Sequence, residues 1–321
     1  MLNKLLAFLA LSGAALAGPV EFGRAELDKA IAARGLNPRL FQIKTEVAVD
    51  PPESYRIVPG LVTGGDLRGL MYGLLEAADQ VRRTGRLQKV EALPGMALRG
   101  VRVTMDDLDA GHDRWPAVFR ALAAARFNWF QVYTPDLAGT ASEKNLEALR
   151  FISDSAADYG IDFVLGFDFR QPTDGPDLYA VLVKVLAVCP GIRGLRLTMD
   201  GDLAADAIRA IRETSRRVAL ALPLEDQVTA RLGTGAGLSV WFSAAYPSPS
   251  RPAKGTQFFW TLPAPAAAGA PELERLVNKL DGNGAGGFEI DVPPSLLLQA
   301  AEGDPAWLAL GRLAYDVTER K

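Results

Sequence analysis

Short apolar runs recur along most of the chain. Each is followed by a stretch in which apolar residues return every three or four positions. The runs predict strands over Leu98–Thr104, Phe127–Thr134, Asp162–Phe169, Gly194–Met199, Arg217–Pro223, Leu238–Ala244, Gln257–Leu262 and Gly287–Val292. The periodic stretches predict helices over Asp113–Ala125, Ser142–Tyr159, Asp177–Val188, Leu203–Arg216, Leu224–Arg231, Pro271–Leu280 and Pro305–Glu319. Val164–Phe167 and Val218–Leu222 are apolar without a break, as strands buried on both faces are. Eight strands alternating with helices over roughly 225 residues fit a closed (β/α)8 barrel. The competing arrangement, an open doubly wound sheet, would carry a Gly-rich phosphate loop after its first strand. Here Arg99-Gly100 lies inside that strand and no G-x-G-x-x-G follows.

Ahead of the barrel the pattern changes. Arg24–Arg34 reads as a helix, with Leu27, Ala30 and Ile31 on one face and Gly35 as its stop. Leu40–Val49 alternates and reads as a half-buried strand; Ser54–Val58 and Leu61–Thr63 read as two more around Pro59-Gly60. Asp66 then caps a helix to about Thr84, its apolar stripe running through Leu70, Leu74, Ala78 and Val81, and Gly85 ends it. A layer of about seventy residues is small for independent stability, so it should pack against the barrel. The expected division is a small α/β domain over residues 18–95 and a barrel over 96–321.

Residues 1–17 fit neither part. Lys4, an apolar run from Leu5 to Leu11 and the A-x-A site Ala15-Leu16-Ala17 predict a cleavable signal peptide, too short in its apolar stretch to span a bilayer. Net charge is −3 with both signs dispersed, which gives no basic face for nucleic acid. Cys189 is the only cysteine and His112 the only histidine, so intrachain disulfides and multi-His metal sites are excluded. His112 sits in a Gly/Asp-rich loop without a nucleophile motif and reads as a solvated loop residue. Cys189 reads as a small buried apolar residue.

A barrel builds its site at the C-terminal ends of its strands. Those ends carry Asp106 and Asp107; Tyr133 and Asp136; Asp168; Asp200 and Asp202; Glu225; Trp241; Trp260; then Glu289 and Asp291. Paired carboxylates supply the acid and the base or stabiliser of glycoside hydrolysis, and Trp faces stack on sugar rings. A ring of carboxylates could instead hold a divalent cation, and Asp at short βα loops also serves as helix N-cap, which suits Asp113, Asp177 and Asp202. The most informative tip is Leu195–Asp202. Its two carboxylates, Asp200 and Asp202, flank Gly201 closely enough to push their pKa values apart, so that an acid and an anion can coexist.

The order of elements resembles the barrel glycosidases that carry a small N-terminal α/β domain: β-N-acetylhexosaminidases, α-glucuronidases and O-GlcNAcase-like hydrolases. Three segments carry the resemblance. Pro52–Ile57 followed by Gly64–Leu75 is similar to that group's small domain, an "ESY.I" strand and a "D.RGL.YGL" helix. Leu98–Val101 is similar to its first barrel strand, and Arg126–Asp136 to its second. The resemblance implies a TIM-type barrel preceded by a hexosaminidase-like domain. It implies that Arg99 contacts sugar hydroxyls, that Asp136 lies near the pocket, and that Asp200 stands where the group keeps its acidic pair. In hexosaminidases that pair is Asp-Glu, the Asp polarising the substrate's acetamido group and the Glu acting as general acid; in O-GlcNAcase-like enzymes it is two adjacent Asp. This chain has Asp-Gly-Asp, and Tyr133 stands where hexosaminidases usually have His.

The expectation is a secreted or periplasmic glycoside hydrolase of hexosaminidase or glucuronidase type, with Asp200 and Asp202 catalytic. Trp241 and Trp260 would form the sugar platform, and Arg99, Asp136, Tyr133, Glu289 and Asp291 would bind hydroxyls. No cofactor or metal is expected; the partner is a carbohydrate, with no nucleic acid and no stable membrane insertion after signal cleavage. The alternative on the same fold is a catalytically degenerate barrel that binds carbohydrate or acts as a scaffold.

Overall fold

The structure, a computed structural model, describes residues 18–105, 108, 112–134, 141–169, 177–199, 201–214, 218–223, 239–246, 257–263, 270–282, 284–303 and 305–315. The expected signal peptide and the expected helix over 224–231 lie outside them. Two sheets form. A four-stranded sheet uses β1 (Lys44–Val47), β2 (Tyr55–Val58), β3 (Leu61–Gly64) and β4 (Val90–Ala92) in the order β1-β3-β2-β4. The other is a closed barrel of eight parallel strands: β5 (Leu98–Thr104), β6 (Trp129–Tyr133), β7 (Asp162–Phe169), β8 (Ile192–Met199), β9 (Ala219–Pro223), β10 (Val240–Ala245), β11 (Phe258–Pro263) and β12 (Gly287–Asp291). Strand β12 closes the ring on β5, with Glu289 opposite Gly100 and Asp291 opposite Arg102.

The described helices are α1 (Pro19–Ala33), α2 (Leu67–Thr84), α3 (Trp115–Ala124), α4 (Glu143–Asp158), α5 (Leu178–Val188), α6 (Gly201–Glu213), α7 (Ala270–Gly282), α8 (Pro294–Gln299) and α9 (Ala309–Tyr315). The single C-terminal helix expected over 305–319 is instead a 3-10 turn, Ala306–Leu308, followed by α9, and α8 precedes both. No described helix is long and apolar enough to cross a membrane.

Helix α2 shows how local sequence places the small sheet. Asp66 caps it, its carboxylate accepting from the Gly69 amide at 2.6 Å, and Gly85 ends it in the left-handed conformation with φ 71°. Gly69 lets the helix lie on the turn before β2, because a Cβ there would sit 2.2 Å from the Ser54 carbonyl oxygen. That turn holds Glu53 at φ 63°, a conformation non-glycine residues seldom adopt.

Apolar burial divides into two clusters. The larger fills the spaces between barrel, helices and small sheet. The smaller lies inside the barrel toward the strand N-termini: Leu98, Trp129, Val164, Ala221 and Phe259, with Ala219 and Trp241 against them. Alternation along parallel strands produces this split, since one set of side chains faces the axis and the other faces the helices.

Candidate active site at the barrel mouth

Above the apolar floor the barrel interior turns polar. Gln131 on β6, Arg196 on β8, Thr261 on β11 and Glu289 on β12 meet across the axis. Arg196 donates through Nη1 to Gln131 Oε1 at 3.2 Å and to Glu289 Oε2 in a shorter contact, and through Nη2 to Thr261 Oγ1 at 3.2 Å. Its guanidinium lies 5.6 Å from the centre of the Phe259 ring, so one face rests on the floor. Gly166 makes the room Gln131 needs: a Cβ there would fall 2.4 Å from Gln131 Nε2. Gln131 and Glu289 are fully buried, and among the described residues Gln131 Nε2 and Glu289 Oε1 have no hydrogen-bond partner.

One level nearer the strand C-termini, Arg102 on β5 lies 4.8 Å over the Tyr133 ring. Asp291 on β12 pairs with Arg102 in the strand register. Arg102, Tyr133 and Asp291 are all partly exposed. Burial pushes the Glu289 carboxyl above its ordinary range; Arg196 and Arg102 pull it down without cancelling that push, and Asp291 adds to it. Arg102, Tyr133 and Asp291 above a charge-bearing floor offer donors and acceptors to a hydroxyl-rich ligand.

The structure brings some expected site residues to this mouth and removes others. Tyr133 and Asp291 face it. Glu289 faces the axis too, but it is enclosed one level lower and touches Arg196, so it supports the site from beneath. Arg99 does not belong to it. Its side chain points out of the barrel at the strand's N-terminal end and is fully buried. There it donates to the Arg126 carbonyl at 2.6 Å, to the Met96 carbonyl and to the Glu53 carboxylate. The motif that implied a sugar contact is here an anchor for the small sheet. Trp241 is the second residue of β10, so it packs in the floor, its ring 6.4 Å from that of Phe259. Trp260 alternates outward and is buried against Phe258 and Tyr246 at ring distances of 5.5 Å. Neither Trp can form a platform at the mouth. Asp106, Asp107, Asp136, Asp200 and Glu225 lie outside the described residues. Asp168 and Asp202 belong to β7 and α6, with side chains outside the description. Asp177 is a cap, accepting from the Tyr179 amide at 3.0 Å. His112 is exposed and stacks on Phe151.

Arg102, Gln131, Arg196 and Thr261 are missing from a reading confined to strand tips. The signal was available: a charged or amide residue in a strand buried on both faces must find polar company, and one at an inward-facing position finds it inside the barrel.

No protein-family model and no curated protein sequence matches the chain. Solved structures do share its fold. A GH138 enzyme targeting pectin rhamnogalacturonan II superposes with a TM-score of 0.73 at 14% identity, over 95% of this chain and 62% of that one. A glycoside hydrolase family 20 β-N-acetylglucosaminidase gives a TM-score of 0.59 at 15% identity, over 91% and 87%. A Flavobacterium johnsoniae chitobiase of family 20 gives 0.61 at 11%, over 93% and 64%. The fold is therefore that of barrel glycoside hydrolases with a small sheet ahead of the barrel, as the hexosaminidase-like resemblance implied. This chain spans less than two thirds of the GH138 enzyme and of the chitobiase.

Proposed function

We propose that this chain is an exported glycoside hydrolase of hexosaminidase or glucuronidase type, acting on an oligosaccharide or glycoconjugate at the C-terminal mouth of the barrel. The observation that carries this reading is the polar layer of Gln131, Arg196, Thr261 and Glu289, topped by Arg102, Tyr133 and Asp291. A barrel that served only as a scaffold would be expected to continue its apolar filling upward. The likeness of fold to glycoside hydrolases supports the same reading.

In this proposal Asp200 and Asp202, at and just beyond the tip of β8, are the reacting carboxylates. One protonates the glycosidic oxygen as the bond to the leaving group breaks; the other, ionised, faces the positive charge that develops at the anomeric carbon; water then bonds to that carbon and returns a proton to the first carboxylate. Tyr133, Asp136 and Asp291 bind ring hydroxyls. Arg196 and Glu289 fix the floor on which the sugar rests. Export rests on the N-terminal segment, and the mature chain would begin at Gly18.

The test is a panel of aryl glycosides, hexosaminides and uronides in both anomeric series, against wild type, Asp200→Asn and Asp202→Asn. At least one substrate should be hydrolysed, with a loss of roughly 100-fold or more in each variant. Hydrolysis unaffected by both substitutions refutes the carboxylate assignment, and no hydrolysis of any substrate refutes the enzyme reading. N-terminal sequencing of exported protein tests the cleavage point.

A further inference from the structure

The two arginines inside the barrel are in different electrostatic situations. Arg196 is matched: its guanidinium spends itself on Glu289, Gln131 and Thr261. Arg102 is engaged less closely: it acts on the Glu289 carboxyl, but among the described residues no carboxylate lies within ion-pair distance of it, and its Nε is buried without a hydrogen-bond partner. Asp291, its neighbour across the β12–β5 register, is the nearest described anion by strand position and makes no salt bridge with it. Arg102 lies over the Tyr133 ring on the partly exposed level of the mouth. A guanidinium that rests on a ring can still present the N–H groups of its two Nη atoms, which can receive a planar carboxylate through two parallel hydrogen bonds. The fully buried Glu289 and Gln131 below set a floor that a ligand does not pass.

We propose that Arg102, held flat by Tyr133, is the carboxylate-binding residue of a subsite for an acidic sugar, a hexuronic acid at the non-reducing end of the substrate. This rests on the glycosidase reading and selects within it. A neutral hexosaminide offers no group that pairs closely with the Arg102 edge, whereas a uronate carboxylate supplies both a charge and two acceptors. Asp291 then meets the ring hydroxyls, since two anions at one point would repel. Arg102 is a specificity residue, not a reacting one.

The test pairs binding with turnover. Calorimetric titration of the full chain with free glucuronate and galacturonate is compared with glucose and galactose, using wild type, Arg102→Gln and Arg102→Lys. N-acetylneuraminate, a carboxylate on a different sugar skeleton, serves as a further arm. The matched aryl uronides and neutral glycosides are assayed in parallel, and thermal melts report folding. Wild type should prefer a uronate or uronide over its neutral partner by roughly 10- to 100-fold, the range for a charged hydrogen-bonding group. Arg102→Gln should abolish that ratio and Arg102→Lys should keep part of it. Uronate binding without hydrolysis would uphold the subsite while removing the hydrolase reading. Turnover of neutral glycosides with no preference for uronides would do the reverse. Equal binding of acidic and neutral sugars, tighter binding of N-acetylneuraminate than of either uronate, or a preference that survives Arg102→Gln in a folded variant would overturn the proposal.

Discussion

Replacing Glu53 by Gln should destabilise the protein by several kcal/mol at neutral pH, and the loss should fade on acidification. Glu53 sits between the small sheet and the bottom of the barrel, 6% exposed. Its carboxylate accepts from Arg68 Nη1 at 2.7 Å, from Asn128 Nδ2 at 2.8 Å and from Arg99 Nη2 in a shorter contact. Arg68 continues to Asp162 at 2.9 Å. Burial alone would raise the carboxyl, but Arg99 and Arg68 together with the hydrogen bonds outweigh it and hold the group at about 2 rather than 4.5. At about 1.4 kcal/mol for each pH unit, that difference is worth about 3 kcal/mol. Gln keeps the shape but leaves the buried Arg99 unpaired, a change that typically costs about 3–5 kcal/mol. A depressed carboxylate contributes its stability above its unfolded pKa and loses it as pH falls toward the folded one. The gap between wild type and Glu53→Gln should therefore be full at pH 7 and constant down to about 5. Below that it should close, approaching about 1.4 kcal/mol per pH unit. Urea unfolding at a series of pH values measures it. A gap under about 1 kcal/mol at pH 7, or one unchanged between pH 5 and pH 3, would refute the reasoning.

Three further outcomes are expected. Gly166→Ala should displace the Gln131 amide, loosen the Arg196 layer and cost about 1–3 kcal/mol through overpacking, read as a lower melting temperature. Glu289 has a raised pKa, so the folded state retains its proton to higher pH than the unfolded chain does. Wild type should thus lose ground to Glu289→Gln as pH rises from about 4.5, the ordinary carboxylate value; a difference in melting temperature that stays flat from pH 4 to 8 would contradict this. Cys189 is fully buried, and its thiol should react with an aromatic disulfide reagent only after denaturant is added; rapid labelling of native protein would show that α5 opens readily.

The barrel was legible because its strands are buried on both faces, which turns them into continuous apolar runs. The predicted spans over Leu98–Thr104 and Asp162–Phe169 coincide with β5 and β7, and the other six overlap their strands. Strand β4, Val90–Ala92, was missed because three residues give no period to detect; it exists by antiparallel pairing with β2. Direction along a strand was the harder matter for the site. Trp241 and Trp260 look like a pair of sugar platforms on adjacent strands, but one is too near its strand's start and the other alternates outward. Arg99 and Arg102 are three positions apart on one strand and so face opposite ways. Only the closed barrel shows that the first serves the small sheet and the second the mouth. Asp66, by contrast, announced its role fully, because a cap is a local interaction.

One hydrogen bond sets a condition on the order of assembly. The Tyr315 hydroxyl donates to the Glu53 carbonyl oxygen across a sequence separation of 262 residues, and the Gly95 and Met96 amides donate to the Tyr315 and Ala314 carbonyls. The native surroundings of the turn that carries Glu53 include a side chain far along the sequence. That turn cannot complete its contacts until Tyr315, 262 residues further along, has reached it, and closing so long a loop is among the slower events of folding.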